Sequence, residues 1–255
     1  MTVSAPQKSQ THPVVFLHGA GITSWMWEDL LQGLSGVDAF SPDLPVFDAQ
    51  FTLEHTARAL LANIEQRFSG EKVHLVGHSL GGVLTLKLLE LQAEQFHSAV
   101  VMGATVLPMG QLQVLLPVME WMLPLNQTPL MLTLAARAMQ VPPHQQDRFI
   151  HDQQRMTRAA LRQVMQEVNR YRIPEALSNC EVPVLALVGS QEVAVNQRSA
   201  TELVKRLPNA QMKTIPKGHH AWFVQFPKLF TEIVQTWLAQ NSQQHSPQDL
   251  QIGKA

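Results

Sequence analysis

Residues 73–91 read VHLVGHSLGGVLTLKLLEL. The apolar run Val73–Val76 has the length and composition of a buried strand, and Val83–Leu91 has the apolar character of a helix packed behind it. Between them lies Gly77-His78-Ser79-Leu80-Gly81-Gly82. A serine on so abrupt a strand-to-helix turn needs small neighbours on both sides, and the two flanking glycines meet that need. The turn lifts the Ser79 hydroxyl above the sheet edge at the start of a helix, where unpaired N–H groups and the helix dipole favour developing negative charge. This stretch predicts a parallel α/β arrangement and marks Ser79 as a candidate nucleophile.

The flanking sequence follows the same rhythm. Strands are expected at Val14–Leu17 (VVFL), more weakly at Val37–Phe40, and at Ala99–Met102 (AVVM). A helix is expected over Leu53–Phe68, where Leu53, Ala57, Leu60, Leu61, Ile64 and Phe68 share a face. Continuous apolar strands interleaved with helices indicate a doubly wound, mostly parallel sheet covered on both faces. From Thr105 to Ser178 the rhythm breaks. Helical segments follow one another at about Gln111–Leu123, Thr128–Met139, Pro143–Gln154 and Arg158–Tyr171, punctuated by Pro117, Pro124, Pro142 and Pro143. The strand pattern then resumes with Pro183–Val188, a helix at Ser199–Arg206, a strand at Gln211–Ile215 and a closing helix at Lys228–Leu238. The expected organisation is a core of residues 1–104 and 179–239, a helical insertion at 105–178, and a glutamine-rich flexible tail at 240–255.

Composition narrows the function classes. The 255 residues are 45% hydrophobic and only 15% charged, with a formal net charge of −1. That apolar fraction is too high for a disordered chain. Nineteen basic against 20 acidic residues produce no field suited to a phosphate backbone, which argues against nucleic acid as a partner. The single cysteine, Cys180, excludes an intramolecular disulfide. Cys180 just precedes an apolar strand and reads as a core residue. No apolar run is long enough to span a bilayer, and the start lacks the apolar core of a signal peptide, so the expectation is a soluble cytoplasmic protein. No His, Cys and carboxylate cluster has metal-ligand spacing, and no phosphate-binding glycine loop follows a strand; neither metal nor cofactor is expected.

A serine hydroxyl is a weak nucleophile until a base takes its proton. For this type of turn the chain order is serine, acid, histidine. The adjacent His219 and His220, in a turn after the last expected strand, are the candidates for the base. An acid that orients the imidazole belongs on a loop at the C-terminal end of a strand.

From His12 to about Ala239 the sequence resembles the α/β-hydrolase superfamily, and the resemblance rests on the elbow at Ser79, on Ile215-Pro216-Lys217-Gly218-His219-His220 and on Pro227. It implies the α/β-hydrolase fold with residues 105–178 in the cap position. The spacing of the histidine loop between Ile215-Pro216 and Pro227 selects His220, with His219 where the family usually has glycine and Gln225 where it often has glutamate. Gly189-Ser190-Gln191-Glu192 matches the family's G-x-x-D turn with glutamate in the aspartate position, which makes Glu192 the expected acid. The other acid position of the family, after Ala99–Met102, holds Gly103-Ala104-Thr105 and offers no carboxylate, and Glu181 lies before its strand. His18-Gly19-Ala20-Gly21 resembles the H-G-x loop, so the backbone N–H groups of Ala20 and Leu80 are the expected oxyanion hole. His18 and Asp43-Leu44-Pro45 are expected to be structural, and Trp25 and Trp27 to pack, the alternative for these two being to reach an acyl pocket.

The insertion is apolar in its first half, from Leu107 and Met109 through Leu112, Leu115, Leu116, Met119, Trp121, Met122, Leu125 and Leu130 to Met131 and Leu132. Most of these are expected to pack, and some to line a pocket for an uncharged substrate, with methionine lending adaptability. The arginines of its second half (137, 148, 155, 158, 162, 170, 172) are expected on a solvated face. The resemblance implies a serine esterase acting on esters of small to medium hydrophobic acids through an acyl-enzyme. Serine at position 79 argues against the aspartate-nucleophile epoxide hydrolases and haloalkane dehalogenases. A lactonase, thioesterase, carbon–carbon bond hydrolase, perhydrolase or hydroxynitrile lyase shares the same frame, and a ligand-binding receptor is the alternative from another class. Both a monomer and a homodimer fit the sequence.

Overall fold

The computed structural model describes residues 13–110 and 114–242. Its six strands are β1 Val14–Leu17, β2 Ala39–Phe40, β3 Val73–His78, β4 Phe96–Met102, β5 Val184–Gly189 and β6 Ala210–Ile215. They form one parallel sheet in the order β2-β1-β3-β4-β5-β6. The helices flanking it are α1 Glu28–Gln32, α2 Leu53–Phe68 and α3 Leu80–Gln92 before β4. Between β4 and β5 run α4 Leu116–Asn126, α5 Pro129–Ala138, α6 Gln146–Arg155 and α7 Arg158–Arg170. After β5 come α8 Ala194–Arg206, α9 Trp222–Gln225 and α10 Pro227–Ser242.

Period-two alternation divides the strands between two cores. Val15, Leu17, Leu75, Val101 and Ala186 pack on one face against α2, α3 and α8. Val14, Phe16, Val76, Val100 and Leu187 pack on the other against Trp27, Phe223, Phe230 and Val234. Both faces of each central strand are buried, which is why these strands read as unbroken apolar runs. The order reverses between β1 and β3: the chain goes outward from β1 to β2 and then returns to the other side of β1. Loops leaving the carboxyl ends of β1 and β3 therefore diverge, and a crevice opens between them.

Several boundaries differ from expectation for local reasons. β2 pairs with β1 only through Ala39 and Phe40, since Pro42 follows closely and lacks a donor N–H. β4 begins at Phe96, three residues earlier than its apolar run, because Ser98 is buried in the sheet with its hydroxyl bonded to His74 Nδ1 at 2.8 Å. α3 begins at Leu80, immediately after the nucleophile turn, and α10 continues to Ser242, whose hydroxyl meets His74 Nε2 at 3.1 Å. Residues 240–242 of the expected tail are thus helical, while 243–255 lie outside the described residues, as do 111–113 of the first expected helix of the insertion. The short helices α1 and α9 carried no periodic signal. No helix among the described residues is long and apolar enough to cross a membrane.

The turn between β3 and α3 is the tightest junction of the sheet. Ser79 adopts φ 55°, ψ −114°, a conformation costing on the order of 1–3 kcal/mol that only surrounding packing can hold. A Cβ on Gly81 would lie 2.1 Å from the Leu17 carbonyl oxygen, and one on Gly77 2.3 Å from the Gly81 carbonyl oxygen. Replacing Gly81 by alanine must therefore push α3 away from β1. Gly81→Ala is expected to cost at least about 3 kcal/mol, an order set by core overpacking and backbone shifts. For a chain of this size that corresponds to a melting temperature lower by roughly 6–12 °C in calorimetry; an unchanged melting temperature would refute the close-approach account.

Candidate active site

Ser79 follows β3 and lies at the N-terminus of α3. Its N–H is bonded to the Met102 carbonyl at 2.8 Å and its carbonyl to the Val83 N–H at 3.1 Å. The hydroxyl faces a cavity of about 540 Å3 whose wall also includes Gly19, Ala20, His78, His219 and His220. Ser79 Oγ makes no hydrogen bond among the described residues. The Ala20 and Leu80 N–H groups likewise donate to no acceptor among them.

His220 and Glu192 meet on the far side of this cavity. Glu192 follows β5, and its side chain is completely buried. His220 Nδ1 lies 2.8 Å from Glu192 Oε2. The Gly189 N–H donates to Oε1 at 2.9 Å, and Asn196 Nδ2 donates to Oε2 at 2.8 Å. Thr105 Oγ1 donates to Asn196 Oδ1 at 2.7 Å, which fixes the amide with its nitrogen toward the carboxylate. A buried carboxylate is tolerated when donors satisfy its oxygens, and this one has three. With the imidazole proton held on Nδ1, Nε2 is left free as a base.

The additional reach of glutamate is accommodated by Gly103, at φ 58° just after β4. A Cβ there would come within 2.9 Å of His220 Nδ1 and Cε1 and 3.1 Å of Glu192 Oε2. Lack of a side chain at that position is what leaves space for the pair. Glu181, by contrast, is at the amino-terminal end of β5, where its carbonyl accepts from Asn209 Nδ2, remote from the cavity. Cys180 is buried, which pushes its thiol pKa up and leaves it a poor nucleophile.

His78, the residue before the serine, was not singled out by sequence. It is fully packed, and its Nε2 donates to the His220 carbonyl at 3.1 Å. The rings of His78 and His220 are 4.7 Å apart. Burial, reinforced by the neighbouring His220, holds the His78 pKa well below the usual histidine value, so it is neutral and carries its proton on Nε2. His18 is also buried: its Nδ1 donates to the Gly19 carbonyl and its Nε2 accepts from the Leu44 N–H, both at 2.8 Å. It ties the loop after β1 to the Asp43-Leu44-Pro45 turn, where Asp43 Oδ1 accepts from the Ser24 N–H at 2.8 Å. Both features are structural, as expected. His219 is exposed, with its N–H directed to Gln225 Oε1 at 3.1 Å.

The insertion contributes one wall, but not through the residues expected. None of the apolar series from Leu107 to Leu132 that the structure describes lines the cavity, and Leu112 lies outside the described residues. The wall comes instead from the α5–α6 junction: Ala138, Met139, Val141, Pro142, Gln145, Phe149 and Gln153. Two residues of α6 explain this. Asp152 Oδ2 accepts from Trp25 Nε1 at 2.7 Å and Thr23 Oγ1 at 2.9 Å, and Gln153 Nε2 donates to the Gly21 carbonyl. They latch α6 onto the loop after β1, bringing the preceding turn over Ser79. Trp25 reaches the cavity while Trp27 lies in the core against Phe16 and Phe223. Gln145 is buried in this wall, and its Nε2 has no partner among the described residues. The arginines lie on outer faces, several of them paired, such as Arg148 with Glu28 at 2.6 and 2.7 Å.

Comparison with known proteins gives the same frame. The model of the Alpha/beta hydrolase family matches residues 14–233. The pimeloyl-[acyl-carrier protein] methyl ester esterase of Aeromonas hydrophila is 25% identical over 256 residues, covering 92% of this chain and 98% of that protein. A protein of Arabidopsis thaliana provisionally named chloroplastic methylesterase 12 is 34% identical over 106 residues. That match covers 38% of this chain, which spans only 30% of the plant protein's length. Among solved structures, an esterase from Exiguobacterium antarcticum superposes with a TM-score of 0.76 at 18% identity, covering 89% of this chain and 92% of that one. A match over nearly the whole sheet and its helices is decisive: the chain belongs to the alpha/beta hydrolase family and is a hydrolytic enzyme.

Proposed function

We propose that the protein is a carboxylesterase acting on esters of small to medium hydrophobic acids. The observation that carries this reading is the Glu192–His220 pair, its carboxylate buried and its imidazole open to the cavity that holds Ser79. In this scheme Ser79 Oγ attacks the ester carbonyl carbon while His220 Nε2 takes its proton. The Ala20 and Leu80 N–H groups stabilise the oxyanion, each by roughly 3 kcal/mol. His220 then passes the proton to the departing alcohol, leaving an acyl group on Ser79. Water, deprotonated by His220, attacks that acyl carbon and releases the acid. Glu192 holds the imidazole tautomer throughout, and His78, through the His220 carbonyl, positions the histidine loop.

Substrate preference follows from the walls. Residues 105–178 act as a cap, and its α5–α6 turn faces an apolar side formed by Ile22, Met26, Phe223 and Val224. Among the described residues no aspartate, glutamate, lysine or arginine lines the cavity, which suits an uncharged acyl or alcohol group. The esterase relative from Aeromonas hydrophila, matched along 98% of its length, supports ester chemistry and a small alcohol such as methanol. Gln145 leaves its amide nitrogen buried in this wall and unpaired among the described residues, at a cost of about 1–3 kcal/mol. A single buried cysteine requires no oxidising compartment, and we place the protein in the cytoplasm.

Hydrolysis of p-nitrophenyl esters of graded acyl length tests the scheme. A burst followed by turnover is expected, greatest for short to medium chains; absence of turnover on every chain length would overturn the esterase reading. Ser79→Ala and His220→Ala are expected to lower kcat by roughly 10⁴–10⁶-fold, and Glu192→Gln by about 10³–10⁴-fold. His219→Ala should remain within about threefold of the parent, and the reverse pattern for the two histidines would reassign the base. Gln145→Leu is expected to raise stability by about 1 kcal/mol in chemical denaturation, because it removes an unsatisfied buried amide.

A further inference from the structure

Between Val114 and Leu134 the insertion turns its apolar side chains outward. α4 buries only Leu116 and Glu120. Its one charged residue faces inward, where Arg162 grips the Glu120 carboxylate through Nε and Nη2 and holds its carboxyl below the usual range. Outward from α4 stand Val118, Met119, Trp121, Met122 and Leu125, with Trp121 74% exposed. α5 adds Leu130, Met131 and Leu134. This is the reverse of an ordinary surface helix, which hides its apolar stripe and shows its charges. Together these side chains expose on the order of 1,000 Å2, beyond the roughly 300–600 Å2 of the largest patch on a typical monomer.

Three occupants could cover such a face, and the observations separate them. The first and last described residues lie at the amino-terminal ends of the central strands, away from the cavity: Pro13 precedes β1, and Ser242 is bonded to His74 near the start of β3. Beyond them, residues 1–12 and 243–255 hold only Met1, Val3, Leu250 and Ile252 as large apolar side chains. A bilayer favours helices whose apolar face is bordered by lysine and arginine. No lysine occurs between Lys87 and Lys205, and α4 and α5 carry one cation between them, Arg137. A second copy of the chain fits better. The face has an uncharged centre rich in Trp, Met and Leu, and a polar edge at Asn126, Gln127, Thr128 and Arg137, the anatomy of a protein interface. Its area is of the same order as the ~800 Å2 per partner of a standard stable complex.

We propose that the α4–α5 face pairs two copies of the chain about a twofold axis. Two helices from each copy then pack across the axis, so that one patch is its own complement. The pairing also bears on the cavity. Leu130, Leu134 and Ala138 form one row along α5 at a spacing of four, and Ala138 and Met139 belong to the cavity wall. The partner copy thereby anchors the helix that carries this wall.

Sedimentation velocity of the full 255-residue chain at micromolar concentration is expected to give twice the 28.5 kDa monomer mass. Trp121→Glu and Leu130→Glu, each confirmed as folded by circular dichroism, should weaken dimerisation by at least about a hundredfold. Independently of any folding defect, Val118→Cys should be cross-linked between chains by a bifunctional maleimide, and Arg198→Cys, exposed on α8, should not. A monomeric parent chain at that concentration would overturn the proposal. So would a dimer that survives both glutamate substitutions, or a monomer that co-sediments with phosphatidylglycerol vesicles through Trp121.

Discussion

The approach of α3 to β1 governs the rest of the molecule. With the Leu17 carbonyl oxygen 2.1 Å from where a Gly81 Cβ would stand, helix and strand are as close as two backbones can come. That closeness forces the turn at Ser79 into a left-handed conformation and aims its hydroxyl off the sheet edge. It also brings the loop after β1 against the first turn of α3, where a Gly81 Cβ would lie 2.7 Å from the His18 carbonyl oxygen and a Gly19 Cβ 3.4 Å from the Ser79 Cβ. One steric constraint thus places the proposed nucleophile and both proposed oxyanion donors. Its cost is distributed over the sheet, where the Ser79 N–H to Met102 bond and the apolar packing of α3 hold a conformation that an isolated peptide would abandon.

The proposed acid and base depend on a second, weaker constraint. Glutamate in place of aspartate extends the carboxylate by one methylene, and Gly103 at the end of β4 removes the atoms that would obstruct the longer pair. Asn196, oriented by Thr105, supplies a donor that an isolated glutamate–histidine pair would lack. Residues after β4, after β5 and on α8 therefore act on one carboxylate, and a substitution at any of them is felt at His220. The α6 latch, through Asp152 and Gln153, plays the corresponding part for the loop after β1.

Much of the sheet was legible because its signals are local. Apolar runs such as Val14–Leu17 and Val73–Val76 report strands buried on both faces, and the Gly77-x-Ser79-x-Gly81 pattern reports a turn whose sterics allow few other residues. The resemblance selected His220 over His219, and it is His220 whose Nδ1 lies 2.8 Å from Glu192 Oε2. The cavity wall was not legible. Amphipathic and apolar segments of the insertion look alike whether they face a pocket, a core or another molecule. The expectation that most of the apolar series from 107 to 132 packs and some of it lines the pocket failed because α4 is inverted, its glutamate inward and its tryptophan outward. His78 and Gln145 gave no periodic or motif signal, since their importance lies in a carbonyl 142 positions away and in an unpaired amide.

Sequence alone determined the α/β alternation and the tight strand-to-helix turn at Ser79, and the resemblance supplied the proposed order of serine, glutamate and histidine along the chain. The first two follow from side-chain periodicity and from backbone sterics within a few residues, which a linear string records. Only the tertiary structure decided that Glu192 reaches His220 across Gly103, that the α5–α6 turn rather than α4 closes over Ser79, and that an apolar face is left outward. Each of those outcomes rests on contacts between segments far apart in the chain, where close packing and hydrogen-bond satisfaction are settled jointly and no single stretch of sequence carries the answer.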